Sequence, residues 1–374
     1  MAGIYLHIPF CKQACNYCNF YFSTSLKQKE QFIAALQKEI HLTKIFSPAE
    51  PIETIYFGGG TPSLLLTDEL NLIFEALNKK FSLSKNIEIT LEANPDDISV
   101  EKLNTWKSSG INRLSVGIQS FVEDELAWMN RAHTASDSIA CIEKIIDAGF
   151  VNFSIDLIYG SPLLTNDNWK RNVEMVIEKN IPHVSCYALT VEPKTALEKM
   201  ILAKKKAPIN SEKQAEQFLL LMDWMQNAAY EHYEISNFAK PGMRSQHNSS
   251  YWKGKPYYGF GPSAHSFDGN ARRWNVANNA YYIQSIQKNI IPCEEETLTV
   301  TQQLNEFIMI SLRTSEGLDI ELVKERFGEN TGNKLQASSQ KYILSSRLKA
   351  EDSKLILTNE GKLFADGIAA DLFF

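Results

Sequence analysis

Short runs of β-branched and aromatic residues alternate, over the first half of the chain, with longer segments whose apolar residues recur at a helical period. Runs of this composition and length are typical of buried strands. They predict strands at Ile4 to Ile8, Thr54 to Phe57, Ile87 to Leu91, Arg113 to Ile118, Asn152 to Ile158 and His183 to Leu189.

Helical segments lie between and after these strands. Six strand-then-helix units in succession favour a parallel sheet with helices outside it. We therefore expect an α/β fold built as a curved, incomplete (β/α)6 barrel, with a flat doubly wound sheet as the alternative. In either fold, ligands bind at the carboxyl ends of the strands. The predicted helices lie near residues 27–43, 66–80, 99–108, 136–148, 167–179 and 211–230.

The pattern changes beyond about residue 298, where helices predominate. A short strand and a terminal helix follow them, which predicts a mainly helical, winged-helix-like domain with Asp319 as a helix N-cap. DNA binding would need a basic reading helix, and none is evident, so a packing or docking role is expected. The predicted elements are helices at Gln302 to Arg313, Asp319 to Phe327 and Gly332 to Ser345, a strand at Lys354 to Thr358 and a helix from Asn359.

These patterns divide the chain into three predicted domains. Residues 1–230 form the barrel, and residues 298–374 form the C-terminal domain. Between them, residues 231–297 are expected to form a loop-rich aromatic segment that closes the barrel.

Composition narrows the functional classes. The chain has 374 residues, 44% of them hydrophobic, and a formal net charge of -6. A general nucleic-acid binder would need a basic face, so no nucleic-acid partner is expected. No segment approaches about 18 uninterrupted apolar residues, and no secretory leader is recognisable, so we expect a cytoplasmic protein that contacts the membrane at most peripherally.

Three of the six cysteines lie close together near the start of the chain. Cys11, Cys15 and Cys18 follow the first predicted strand with C-x3-C-x2-C spacing. Three thiolates can hold three irons of a four-iron, four-sulfur (4Fe-4S) cluster and leave the fourth iron open, whereas electron-transfer clusters normally take four cysteines. A zinc site with His7 as fourth ligand is the alternative. A disulfide is disfavoured in a chain with so few cysteines.

Other polar residues fall at the ends of the following strands. The second strand ends in Gly58-Gly59-Gly60-Thr61-Pro62, where missing side chains let the backbone approach a ligand closely. Glu92 ends the third strand, Gln119 the fourth, and Arg131 follows a short helix. Asp156 lies in the apolar fifth strand and needs a partner if it is buried. Each residue alone favours a structural role, but together at one rim they favour a binding site.

The cysteine loop, the GGGTP turn and these strand-end residues resemble the radical S-adenosylmethionine (SAM) superfamily, in its coproporphyrinogen-oxidase-like branch. The resemblance covers nearly the whole chain. It implies a radical SAM barrel, in which the three cysteines hold the cluster and SAM chelates its open iron. The residues that the resemblance places around SAM are Tyr5, Tyr17, Gly59, Gly60, Thr61, Glu92, Gln119, Arg131 and Asp156.

Two features indicate which function within this branch to expect. Coproporphyrinogen oxidases of the branch carry a further cysteine where this chain has Phe20. His247-Asn248-Ser249-Ser250-Tyr251-Trp252 resembles the HNxxYW signature of the branch's haem chaperones. The resemblance therefore implies a haem chaperone without coproporphyrinogen oxidase activity. The alternatives are an oxygen-independent coproporphyrinogen III oxidase, which is a radical SAM decarboxylase, and a purely structural cluster protein.

The histidine of this motif is the first candidate for haem contact. Haem iron accepts an axial imidazole, and a flat porphyrin favours aromatic walls such as those around His247. In the alternative interpretation this region is an aromatic lid in which His247 is only hydrogen-bonded, and His265 is a second candidate ligand. The expected partners are haem, haem-acceptor proteins including membrane respiratory proteins, an electron donor if SAM is cleaved, and a second copy of the chain.

Overall fold

The computed structural model describes residues 2–46 and 50–374. Strands and helices alternate through the first part of the chain, as the sequence pattern predicts. The strands are β1 Ala2–Ile8, β2 Ile52–Gly59, β3 Leu83–Ala93, β4 Arg113–Gln119, β5 Phe153–Tyr159, β6 His183–Ala188, β7 Glu231–Glu234, β8 Asn237–Ala239, β9 Tyr257–Phe260, β10 His265–Phe267, β11 Ala271–Asn275, β12 Cys293–Thr297, β13 Leu318–Asp319, β14 Leu348–Glu351 and β15 Lys354–Leu357.

Helices follow the strands with few residues between them. The predicted helices of the barrel are confirmed to within a few residues at their ends. The helices are α1 Lys29–Leu42, α2 Thr67–Lys80, α3 Val100–Ser108, α4 Glu123–Met129, α5 Ala135–Asp147, α6 Asn166–Glu178, α7 Ala196–Leu202, α8 Ser211–Asn227, α9 Gln246–Trp252, α10 Asn279–Gln287, α11 Val300–Leu312, α12 Ile320–Phe327, α13 Glu329–Leu344, α14 Asn359–Lys362 and α15 Ala365–Asp371.

The first six strands are parallel and lie side by side in chain order, β1-β2-β3-β4-β5-β6. A doubly wound sheet reverses its strand order at a switch point, so this order excludes that alternative. The fold is the expected incomplete (β/α)6 barrel. Its sheet stays open and continues at both ends into further strands.

Residues along each barrel strand alternate between two environments. In β1, Ile4, Leu6 and Ile8 belong to the large apolar core, whereas the intervening Tyr5 and His7 do not. The other strands follow the same alternation, as expected for a period of two. Polar side chains of neighbouring strands meet on the inner face, where Ser154 Oγ lies 3.0 Å from Ser115 Oγ. The helices therefore cover the apolar face, and the interior of the barrel is polar.

The segment 231–297 differs from the predicted loop-rich lid. Strands β7 and β8 extend the barrel sheet beside β6, and β9 pairs parallel with β1. Strands β10 to β12 continue from β9 as antiparallel neighbours. The six strands have three to five residues each. The predicted lid is therefore part of the sheet. The sequence did not show this, because strands this short have too little alternation to be predicted.

The C-terminal part has its own apolar cluster, formed mainly by α11, α12, α15 and the strands between them. Strands β13, β15 and β14 make a small antiparallel sheet beside the helices, in agreement with the predicted winged-helix-like arrangement. Asp319 is the predicted N-cap of α12 and accepts hydrogen bonds from the backbone N–H of Glu321 and Leu322, at 3.0 and 3.4 Å. The domain boundaries themselves stay a prediction.

Candidate cofactor site

The cysteine loop follows β1 and is held at the carboxyl ends of the strands by backbone contacts. The Thr61 N–H donates to the Phe10 carbonyl at 2.7 Å, which joins the loop to the end of β2. Asn16 joins it to the end of α4, since its side chain donates to the Trp128 carbonyl at 2.9 Å and its N–H to the Met129 carbonyl at 3.1 Å. The loop is thus fixed between the first two strands and α4.

The three thiols of this loop are free and half-buried. Burial raises the pKa of the Cys18 thiol to about 11 and also raises the pKa of Cys11. Since thiolates are the metal ligands, binding a metal here releases protons. Among the described residues, no three His, Cys, Asp or Glu side chains are arranged to hold a single ion. A 4Fe-4S cluster does not need that arrangement, because each thiolate binds a different iron.

The glycine turn allows the end of β2 to approach the cysteine loop. A Cβ at Gly60 would lie 2.7 to 2.8 Å from backbone atoms of Phe10 and Ile8, which a side chain cannot tolerate. Gly59 has a φ of +105°, and a Cβ there would lie 2.6 Å from the His7 ring. Both positions therefore need glycine, and the predicted turn stands directly beside the loop.

Glu92 lies at the end of β3 with its carboxylate above Gly58. Its Oε1 accepts a 2.8 Å hydrogen bond from the Tyr56 hydroxyl, and its Oε2 accepts one from the Gly59 N–H at 3.2 Å. Loss of hydration raises the pKa of the carboxyl to about 7. Asp156 on β5 is affected in the same way, and loss of hydration raises its pKa to about 6. Both carboxyls titrate near neutral pH, as is common at functional sites.

Arg131 connects the cysteine loop to the ends of β3 and β4. Its Nη1 donates to Cys15 Sγ at 3.3 Å, and its Nη2 donates to Asn94 Oδ1 and to the Gly117 carbonyl, both at 2.8 Å. Its Nε is buried and has no hydrogen-bond partner among the described residues. A Cβ at Gly117 would lie 2.9 Å from Gln119 Nε2, so Gln119 and Arg131 converge on the space above this glycine.

Three further predicted residues lie in the same region. The Tyr5 hydroxyl is 3.3 Å from His7 Nδ1. Tyr17 packs against an apolar cluster that contains Met129 at the end of α4. Thr61 Oγ1 accepts a 3.2 Å hydrogen bond from the Asn94 side chain. The cysteine loop, the glycine turn, Glu92, Gln119 and Arg131 thus lie near the carboxyl ends of the strands, whereas Tyr5 and Asp156 lie in the middle of β1 and β5.

His247 lies elsewhere, on α9 beside the first residues of β2. It is 1% exposed, and both ring nitrogens are engaged, Nδ1 by Thr54 Oγ1 at 2.8 Å and Nε2 by the Tyr251 hydroxyl at 2.9 Å. Its ring stacks on Tyr56 with centroids 5.0 Å apart. Burial lowers the pKa of His247 to about 3, so the imidazole is neutral. The predicted haem ligand and the predicted cluster ligands are therefore at opposite ends of the strands.

Two residues of the site are absent from the sequence-based set. Asn94 bridges Arg131 and Thr61, and Tyr56 lies between Glu92 and His247. The alternation of side chains along a strand could have indicated both residues. Asn94 is two residues beyond Glu92, and Tyr56 alternates with the core residues Ile55 and Phe57.

Comparison with known proteins places this geometry in a family. Residues 5–176 match the radical SAM superfamily, and residues 298–364 match the HemN C-terminal domain. The chain is 32% identical to the heme chaperone HemW of Bacillus subtilis (strain 168), over 98% of each chain. It is 31% identical to the heme chaperone HemW of Mycobacterium tuberculosis (strain H37Rv), over 99% of this chain and 94% of that protein. This chain belongs to the HemW family of radical SAM proteins.

A solved structure agrees with this assignment at the level of fold. Coproporphyrinogen III oxidase (HemN) from Escherichia coli, described as a radical SAM enzyme, superposes with a TM-score of 0.86 and 21% identity, over all of this chain and 90% of that one. Membership of the radical SAM superfamily implies a 4Fe-4S cluster and SAM as cofactors. The residues at the carboxyl ends of the strands fit these cofactors. One loop supplies three thiols for the cluster. The backbone at Gly58 to Gly60 is open to a ligand, and Arg131 Nε has no hydrogen-bond partner among the described residues.

Proposed function

We propose that this protein is a haem chaperone that carries a 4Fe-4S cluster and SAM, binds haem and delivers it to acceptor proteins. The observation that carries the proposal is similarity to HemW proteins over the full length of the chain, including the C-terminal domain. A second observation concerns Phe20, which stands where the oxidases carry a further cysteine. This side chain is exposed and has no thiol.

Cys11, Cys15 and Cys18 would hold the cluster, whose open iron supplies a binding position and, when the cluster is reduced, an electron for SAM. The chain keeps these thiols in place through Asn16 and Thr61 and puts the Arg131 guanidinium against Cys15. A positive charge and a hydrogen bond beside a ligand sulfur raise the potential of a cluster.

The other rim residues would receive the polar groups of SAM. Glu92 and Asp156 can accept hydrogen bonds from an ammonium or from ribose hydroxyls, and Arg131 can bind a carboxylate through its unpartnered Nε. Gly59 and Gly60 leave space for the ligand to reach the backbone. Tyr5, Tyr17, Thr61 and Gln119 would form the remaining border of this pocket.

For haem we propose His247 as the first candidate ligand and His265 as the second. Ligation by His247 needs its contacts with Thr54 and Tyr251 to open, although its imidazole is already in the neutral form that binds iron. His265 is exposed and stacks on Trp274 with centroids 6.2 Å apart. Single alanine substitutions of the two histidines separate these assignments.

The proposed partners are haem-acceptor proteins, including membrane respiratory proteins, an electron donor if SAM is cleaved, and a second copy of the chain. We propose a cytoplasmic location with peripheral contact to the membrane. Among the described residues, the helices are all too short or too polar to cross a bilayer.

The proposal predicts opposite results in two assays of one preparation. Anaerobically reconstituted protein mixed with haem is expected to develop a Soret band, because a porphyrin in an aromatic site with an axial ligand absorbs differently from free haem. The same protein given SAM, a reductant and coproporphyrinogen III is expected to form no protoporphyrinogen. Coproporphyrinogen turnover without a Soret band would instead identify a decarboxylase, and neither signal would identify a structural cluster protein.

A further inference from the structure

A cavity of about 570 Å³ lies at the end of the barrel opposite the cysteine loop. Its walls are the first residues of β1 and β2, the outer side of α9, and the C-terminal domain. Small-molecule sites typically have volumes of about 300–1,000 Å³ and form between domains, so both the size and the position fit a ligand pocket. None of the proposed cluster or SAM residues lines it.

Aromatic side chains from three parts of the fold line this cavity. Tyr233 lies on β7, Trp252 ends α9, and Phe307 belongs to α11 of the C-terminal domain. The Trp252 indole Nε1 is buried and has no hydrogen-bond partner among the described residues. Walls of this kind favour a flat, largely apolar ligand that also brings a hydrogen-bond acceptor.

Basic and acidic side chains both border the same space, but the carboxylates are engaged: Glu53 pairs with Lys255, Glu316 pairs with Arg244, and Asp319 caps α12. Arg244 is paired with Glu231 and Glu316, at 2.9 and 2.7 Å. Lys253 and Lys354, by contrast, form no ion pair with any carboxylate among the described residues, although both line the cavity. Lys253 is exposed and Lys354 is half-buried, so both ammonium groups can reach an anionic ligand edge.

Gly3 and Thr54 separate the cavity from His247. Gly3 and Thr54 line the cavity, and a Cβ at Gly3 would lie 2.8 Å from Thr54 Oγ1 and 3.4 Å from His247 Cε1. The absence of a side chain at Gly3 therefore leaves the imidazole directly behind the cavity floor. Opening the contact between Thr54 and His247 would present this imidazole to a ligand in the cavity.

We propose that this cavity is the haem site of the protein, with the porphyrin between Trp252 and Phe307 and its propionates bound by Lys253 and Lys354. The proposal rests on the proposed function and adds the location and the anchoring charges. It places haem at the opposite end of the barrel from the cluster, in contact with both α9 and the C-terminal domain. A movement of the C-terminal domain would then open the site and release haem to an acceptor.

The test is a haem titration of the full-length, anaerobically reconstituted protein, followed by the Soret band. The double variant Lys253→Glu and Lys354→Glu is expected to raise the Kd for haem at least about tenfold, the order of one charge-assisted hydrogen bond. The control carries Lys199→Glu and Lys205→Glu, two exposed positions on and just after α7 that do not line the cavity and give the same change in net charge. The control is expected to stay within about twofold of the wild type.

Haem dimethyl ester, which has no propionate charges, provides a second measurement on the same proteins. Wild type is expected to bind the ester more weakly than haem, whereas the cavity double variant should no longer distinguish the two ligands. If the cavity double variant and the control both bind haem with the Kd of the wild type, the proposed location is overturned but the proposed chaperone function still stands. A wild type that leaves the Soret band of free haem unchanged would overturn both.

Discussion

Replacement of Cys11, Cys15 or Cys18 by alanine is expected to eliminate the 4Fe-4S cluster. A cluster with three protein ligands that loses one of them has two bare irons, so iron and acid-labile sulfide should fall to background after anaerobic reconstitution. The fold should survive, because the thiols are half-buried in a loop and lie outside the apolar clusters. Iron and sulfide analysis, together with far-ultraviolet circular dichroism, measures both effects.

The matched control for this experiment is Cys293→Ala. Cys293 is also a free cysteine, exposed on β12 and remote in sequence from the loop, so its loss should leave the iron content unchanged. A variant of any loop cysteine that keeps the full iron and sulfide content would show that this residue is not a ligand. Cluster loss in the Cys293 variant would show that the ligand set has been assigned incorrectly.

Replacement of Glu92 by glutamine is expected to weaken SAM binding in a pH-dependent way. The pKa of the Glu92 carboxyl is raised to about 7 by loss of hydration, so the carboxylate is the minor form below pH 7 and the major form above it. Protonated glutamate and glutamine are similar in shape and both neutral. The ratio of wild-type to variant affinity should therefore be small at about pH 6 and rise about fivefold or more by about pH 8.5.

Equilibrium dialysis of SAM against reconstituted protein measures this ratio. Taking the ratio cancels the titration of SAM itself, which both measurements share. Glu75→Gln is the control, because Glu75 is an exposed residue on α2 that pairs with Lys79. A ratio that stays flat across this range would remove Glu92 from the SAM site, whatever its absolute value.

Much of the barrel could be predicted from the sequence because each unit carries its own local signal. The β1 run Ile4 to Ile8 and the helix after it have different periods, and chain order alone fixes neighbouring strands in a singly wound sheet. The rim residues were predictable for the same reason. Parallel strands bring their carboxyl ends to one edge, so Glu92 at the end of β3 accepts a hydrogen bond from the Gly59 N–H at the end of β2 although the two are far apart in sequence.

The parts that escaped prediction depend on long-range contacts. Strands β7 to β12 are short, and only pairing with β6 and β1 defines them as strands. The short helix α7 was also absent from the prediction. Thr195 caps its N-terminus, and the Leu197 N–H donates a hydrogen bond to the Asn16 carbonyl of the cysteine loop. Such contacts have no periodic signature in the chain.

The HNSSYW motif shows the same limit for a functional residue. Its sequence indicates an imidazole among aromatic rings, and in the structure the His247 ring packs against Tyr251 of the motif and against Tyr56 of β2. It also shows that His247 is enclosed and hydrogen-bonded, as the alternative interpretation of the motif expected. Sequence could not show that Tyr56 lies between His247 and Glu92, a contact that joins the two ends of the barrel.

The protein is expected to carry a cluster with one open iron beside a pocket for SAM. Electron paramagnetic resonance of the reduced, oxygen-free protein before and after addition of SAM tests it most directly. We expect the signal of a reduced 4Fe-4S cluster that changes clearly on SAM binding, because SAM ligates the open iron. An iron–sulfur signal that SAM leaves unchanged, or protein that contains zinc in place of iron and sulfide, would contradict it.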